Sequence, residues 1–433
     1  MDTIMTLIRY IQKWIRRKGT DKGISISAFL LCAFGMVMIG DASVGMAITR
    51  GDNYAIINMG KQLIFLLGGG FIYFLIQHKF RVNRKSATLN IYYLVTLAAM
   101  FICRLWNING SHAWIKLGPI TIQPSEFMKI VLILLYAQLL GTALPRIKRK
   151  RAEALSKPQA KDPIVRKAVR DYASTKIFWD IIGKLAVYGG IAFLICGFYQ
   201  GDLGSALIIV GICLTLFFST NERDRNYKLT KKVLYCIIAV GIVGVYFITK
   251  TGGAGILKPH QIARFITWLD PLNDKYIYGT SYQIVNGMVG YSNGGLIGRG
   301  FGNSIMKYGY IPEAQNDYIS AIIAEEFGLL GMVLLLIPYC VIIYRLFSYA
   351  MKMEDRRSKL ILIGVASYFF FHLLVNLGGV SGLIPMTGVP LLLVSAGGTS
   401  TLAALAALGI AQNIIGKYNR KQMQALAEKE ISE

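Results

Sequence analysis

Apolar residues run along this chain in long blocks, each bounded by polar or basic stretches. The blocks lie at approximately 24–48, 60–77, 89–105, 125–144, 178–198, 203–220, 233–250, 318–344, 360–378 and 391–415. An α-helix needs about 20 apolar residues to cross the hydrocarbon core of a bilayer, so each block predicts a spanning helix. The predicted fold is an all-α polytopic membrane protein with about ten transmembrane helices and a large extracytoplasmic loop, 251–317, between helices 7 and 8. The membrane domain is expected over 24–415, with a tail over 416–433. Ahead of it, Ile4, Leu7, Ile8, Ile11, Trp14 and Ile15 recur at helical spacing among basic residues. Segment 1–23 therefore predicts an amphipathic helix on the inner membrane surface. The first block is too long for a cleaved signal peptide.

The polar stretches fix the orientation. Alternate connecting segments are basic, and they hold 35 of the 47 Lys and Arg residues. Basic segments stay in the cytoplasm, which places both termini there. The richest, 145–177, carries eleven Lys and Arg against Glu153, Asp162 and Asp171, and predicts a cytoplasmic loop beside anionic lipid or a docking partner. Two outer segments exceed simple connectors, 107–124 and 251–317. Long structured loops usually carry function. In the second, Trp268, Tyr276, Tyr278, Tyr282, Tyr291, Tyr308 and Tyr310 fit either a membrane-interface belt or a groove for a lipid-linked substrate.

Composition agrees: 54% of residues are hydrophobic and only 16% charged, against about 25% charged in soluble domains. The net charge of +24 would suggest nucleic acid, but its confinement to alternate loops argues against that partner. The six cysteines lie in or beside apolar blocks without a paired motif, which argues against disulfides and thiolate metal sites. There is no ATP-binding glycine loop, and His78, His112, His260 and His372 show no metal-ligand spacing. Gly68, Gly69 and Gly70 lie within a block, where small residues let helices approach. The absence of a visible internal repeat counts against an inverted-repeat transporter.

The candidate chemistry lies in ionisable residues near the outer ends of spans, where charge is costly and usually faces a cavity or a partner. Glu126 and Lys129 are i, i+3 neighbours after Pro124. They make either a structural ion pair or a positive site for a diphosphate. Asp180 and Lys184 have the spacing of a structural pair. Asp202 either caps the sixth helix or joins a polar cavity. Asp317 stands at the outer mouth of the eighth block, with Glu325 about 12 Å deeper on nearly the same side. Asp317 is a candidate general base toward a hydroxyl, or alternatively a helix cap.

These residues resemble the SEDS family of cell-shape, division and sporulation proteins. The likeness is carried by five stretches in the family's order. They are Asn109 to Gly118 with Gln123-Pro124-Ser125-Glu126, Gly201 to Ala206, Ser281 to Gly300, Pro312 to Ile319, and Pro385 to Ser400. Gly302-Asn303-Ser304 and Ala314 are closer to the FtsW branch than to RodA. His112-Ala113, Gln315-Asn316, Gly201 and Leu392 depart from the family pattern, so neither a basic phosphate contact before Trp114 nor a histidine proton carrier beside Asp317 transfers.

The resemblance implies a peptidoglycan glycosyltransferase that polymerises lipid II into glycan strands during cell division, in the bacterial cytoplasmic membrane at the septum. It implies a class B penicillin-binding protein and other division-complex membrane proteins as partners, with undecaprenyl diphosphate as leaving group. Asp317 would then be the catalytic base. Trp114, Lys116, Glu126, Lys129, Asp202, Arg264 and Glu325 would line or support the substrate site, with Lys129, Arg264 and Lys116 as candidates to neutralise the diphosphate. A divalent ion, Mg or Mn, could assist the diphosphate, but the sequence shows no dedicated site for one. A lipid II flippase and a non-catalytic division scaffold are the alternative readings.

Overall fold

The computed structural model describes residues 19–81, 86–107, 111–118, 120–220, 222, 224–251, 267–273, 275–279 and 281–432. Of the expected N-terminal amphipathic segment 1–23, residues 1–18 lie outside them, as does Arg264, while Lys22 and Gly23 already belong to the first helix. The helices, in chain order, are α1 (Lys22–Arg50), α2 (Tyr54–Lys79), α3 (Ser86–Ile102), α4 (Pro124–Leu155), α5 (Pro163–Tyr199), α6 (Leu203–Phe218), α7 (Arg225–Thr251), α8 (Tyr282–Gly294), α9 (Ile319–Lys352), α10 (Arg356–Val380) and α11 (Gly398–Ser432). Among the described residues eight helices are long and apolar enough to cross a membrane; α6 is apolar but shorter. The protein is a multi-pass membrane protein.

Burial separates centre from rim. In α11, 89% of the spanning window is buried, against 11% in α2. The two still pack closely because α2 presents small residues. A Cβ on Gly69 would lie 2.6 Å from Leu405 Cδ1, so a larger residue there would force that side chain to move. The neighbouring Gly70 meets nothing within 4 Å.

Three features differ from the hydropathy pattern. The block at 391–415 does not begin as a helix. Leu391 to Gly397 is a turned segment, with Leu391 N–H donating to Ser395 Oγ (2.8 Å) and Leu393 at φ 68°. Its residues Leu391 to Val394 are at most 1% exposed, and non-helical backbone at membrane depth is tolerated where protein covers it. Next, the basic segment 145–177 is not a loop. α4 and α5 run on into it as a helical pair, passing through wider π turns at Leu139–Ala143 and Phe178–Gly183. Asp180 and Lys184 pair at 3.2 Å, as their spacing predicts.

The third is the segment before α9. α8 runs beside the first half of α9 in the same direction: Gly287 faces Tyr318, Gly290 faces Ala321, and Gly294 faces Ala324. The chain therefore dips alongside α9 and returns. Where it turns, α9 is broken at Gly328 (φ 63°, ψ −163°). The returning strand takes up the freed backbone groups: Arg299 N–H donates to Glu325 O (3.0 Å), Gly300 N–H to Glu326 O (2.9 Å), and Leu329 N–H to Gly295 O (2.9 Å). A helix interrupted inside a membrane needs such replacement partners.

Candidate active site

An open polar cavity of about 780 Å³ lies between the end of the returning segment, the start of α6, the β-hairpin before α4 and the turned segment before α11. The hairpin pairs β1 (Ile115–Leu117) with β2 (Ile120–Ile122). Thr399 Oγ1 ties it to the start of α11, donating to Thr121 O (3.2 Å) and accepting from Gln123 N–H (3.2 Å). On another wall, Asp202 accepts from Ser205 N–H (3.0 Å) as the N-cap of α6 and from Gln123 Nε2 (2.8 Å). Both sequence alternatives for Asp202 hold together, since the same side chain caps its helix and lines the cavity.

Asp317 lines the cavity one residue before Tyr318, the N-cap of α9, and the cap position makes no side-chain hydrogen bond. The carboxylate lies against Gly388: a Cβ there would sit 3.6 Å from Asp317 Oδ2. Burial pushes its pKa up to about 6; a hydrogen bond from its own backbone N–H opposes the rise and the charge of Glu313 adds to it. Such a carboxylate is ionised at neutral pH yet basic enough to take a hydroxyl proton.

The other expected site residues separate into three groups. Trp114 shares the cavity wall with Asp317 and Asp202, whereas Lys116 is exposed on β1 and off that wall. Glu126 and Lys129 pair at 2.6 Å, both essentially unexposed. Tyr368 hydroxyl donates to Glu126 Oε2 (3.0 Å), and Lys129 Nζ lies 3.1 Å from His372 Nε2, so a closed cluster holds this lysine beneath the wall rather than on it.

Glu325 also lies off the wall and grips the returning segment. It accepts from Asn293 Nδ2 (3.2 Å), Met306 N–H (3.1 Å) and Ser304 Oγ. Beside it, Lys307 bridges Asp41 (2.6 Å) and Glu326 (2.9 Å), stapling α1 to α9 through the returning segment.

Two residues went unread in the sequence. Arg50, at the end of α1, pairs with Glu313 (2.7 Å) at the mouth. A lone cation at an outer helix end was its only signal. Asn376 on α10 reaches the backbone of Asp317, which no local spacing announces. The charged residues of the described wall are Asp202, Glu313 and Asp317. Among the described residues no group of three or more His, Cys, Asp or Glu side chains is placed to hold a metal ion.

Comparison with known proteins covers nearly the whole chain. A family model described as cell cycle protein, FtsW/RodA/SpoVE, matches residues 22–420. The probable peptidoglycan glycosyltransferase FtsW of Bacillus subtilis (strain 168) is 30% identical over 420 residues, covering 95% of each chain. Stage V sporulation protein E of the same organism is 28% identical, covering 94% of this chain and 99% of that one. Among solved structures, a chain from work on coordination of polymerization and crosslinking by a peptidoglycan synthase complex aligns with a TM-score of 0.65 at 24% identity. It covers 92% of this chain and 98% of its own. The rod shape determining protein RodA of Thermus thermophilus aligns at 0.58 and 22% identity, covering 92% and 96%. These two share the fold. With the family match running from one end of the membrane domain to the other, the chain belongs to the FtsW/RodA/SpoVE family of cell cycle proteins.

Proposed function

We propose that this protein is a peptidoglycan glycosyltransferase that polymerises lipid II at the outer face of the cytoplasmic membrane during division. The observation that carries the reading is Asp317: an acid with pKa raised to about 6, on the wall of an open polar cavity large enough for sugars. The C4 hydroxyl oxygen of one lipid II sugar attacks the anomeric carbon of the growing strand. The bond from that carbon to the diphosphate breaks, and undecaprenyl diphosphate leaves with the electron pair. Asp317 takes the hydroxyl proton as the new bond forms.

The wall's charge decides which end of the substrates lies where. Asp202, Glu313 and Asp317 repel a diphosphate, so the sugar hydroxyl belongs at Asp317 and the diphosphate toward the rim. There Lys116 is exposed, and Arg264 is the further candidate from the outer loop. Trp114 and Asp202 shape the sugar groove. Glu126, Lys129 and Glu325 support the wall from below instead of touching substrate. A divalent ion, Mg or Mn, would arrive with the diphosphate, and no step is assigned to it. The crosslinking partner is a class B penicillin-binding protein.

Purified protein given lipid II in detergent is the direct test. Glycan strands, lost with Asp317→Asn, are the expected result. Absence of strands with every transpeptidase partner, together with transfer of lipid II across vesicle bilayers, would instead establish a flippase.

A further inference from the structure

Among the described residues no side chain is hydrogen-bonded to the carboxylate of the proposed base, but one holds its backbone. Asn376, on α10 and 1% exposed, donates from Nδ2 to the carbonyl of Asp317 (2.8 Å) and to the carbonyl of Val389 (2.8 Å). Those two carbonyls belong to the two segments that flank the carboxylate: 311–318 in front, and 385–390 behind, where Gly388 abuts Asp317 Oδ2. One carboxamide therefore stitches both sides of the proposed catalytic position to one rigid helix. Among the described residues its Oδ1 has no hydrogen-bond partner.

One turn earlier on α10, His372 Nδ1 approaches Pro390 O (3.5 Å) while Nε2 faces Lys129 (3.1 Å). α10 thus carries two successive side chains that hold 385–390, and the upper one also holds Asp317. We infer that Asn376 is a positioning residue for the transfer reaction, fixing the backbone of Asp317 against the Gly388 segment so that the carboxylate meets the attacking hydroxyl. The inference rests on the reading of Asp317 as the base.

Asn376→Leu keeps the branching of the side chain and removes both donors, while Asn376→Ser retains one hydroxyl donor for one of the two carbonyls. A misplaced catalytic group costs on the order of 10²-fold in rate. The expected result for Asn376→Leu is a kcat loss of about that size with KM within about threefold, and a smaller loss for Asn376→Ser. The acid limb of the pH–rate profile should also move to lower pH, because a carboxylate released from the Gly388 wall is better solvated. The other titratable groups facing this position from the described wall are Asp202, Glu313 and Tyr318, and neither substitution touches them. A purely structural role would scale the rate equally at every pH and leave the limb in place. That outcome, or wild-type turnover in Asn376→Leu, overturns the inference. Asp317→Asn in the same assay separates the two levels: if it still turns over at near the wild-type rate, the reading of the base has failed; if it is dead while Asn376→Leu turns over at the wild-type rate, only the positioning role has.

Discussion

Asp317 answers two opposing demands, since burial makes it a better base and a worse contributor to folding. Asp317→Asn preserves shape and removes proton acceptance, so strand synthesis should fall by 10²–10⁴-fold while partner binding survives. The pH dependence follows from the raised pKa of about 6. The base form is present above pH 6, so the rate should fall as pH drops through about 6, whereas an ordinary aspartate would hold the limb near 4. The sign for stability is opposite. The fold favours the protonated acid, so this group's contribution is present below its unfolded pKa and lost as pH rises through about 6. Thermal unfolding of Asp317→Asn at pH 7.5 should therefore show a Tm equal to or above that of the wild type. A lowered Tm would mean that the carboxylate has a structural partner. Asp317 was legible in the sequence because a polar run at a helix mouth is conspicuous. Asn376 was not, because its partners lie 59 and 13 residues away and an asparagine within an apolar helix has no local pattern to betray it.

At the scale of elements, the returning segment is held by chemistry that hydropathy cannot see. α9 reads as one continuous apolar run, yet Gly328 breaks it so that Gly295 to Gly300 can complete its hydrogen bonds. A Cβ on Gly328 would meet Gly298 N at 2.5 Å, in a backbone conformation that favours glycine. Gly328→Ala should lower stability by about 1–3 kcal/mol, measured as a shift in detergent unfolding, with Gly70→Ala on open surface as the neutral comparison. Lys307→Met is the harsher case, because it leaves Asp41 and Glu326 facing each other without their cation. Removing one partner of a buried pair costs about 3–5 kcal/mol, so this variant should lose folded yield before it loses any specific step. The same limit explains the tenth block. Leu391 to Val394 are apolar enough to read as helix, but Pro390, the positive φ of Leu393 and the Ser395 hydroxyl specify a turn. Spacing did reveal the Glu126–Lys129 pair; that Tyr368 and His372 close around it depended on tertiary packing.

For the whole molecule, the asymmetry of charge sets which face does the chemistry. The cavity with Asp317 must open outward if lipid II is polymerised outside, and the basic α4–α5 extension must then face the cytoplasm. Two single-cysteine probes in a background without native Cys test both ends of that axis. Tyr278 is 89% exposed near the outer segment, and Gln159 is exposed in the link between α4 and α5. A membrane-impermeant thiol reagent applied to intact cells, with the outer layers made permeable, should label Tyr278→Cys and spare Gln159→Cys until the membrane is broken. The reverse pattern would put Asp317 on the cytoplasmic side, where a growing glycan strand cannot be delivered to the wall. Adding a cognate class B penicillin-binding protein to correctly oriented vesicles should then raise strand synthesis without changing the labelling. A partner that instead exposed Gln159→Cys would contradict the orientation that the basic α4–α5 extension sets.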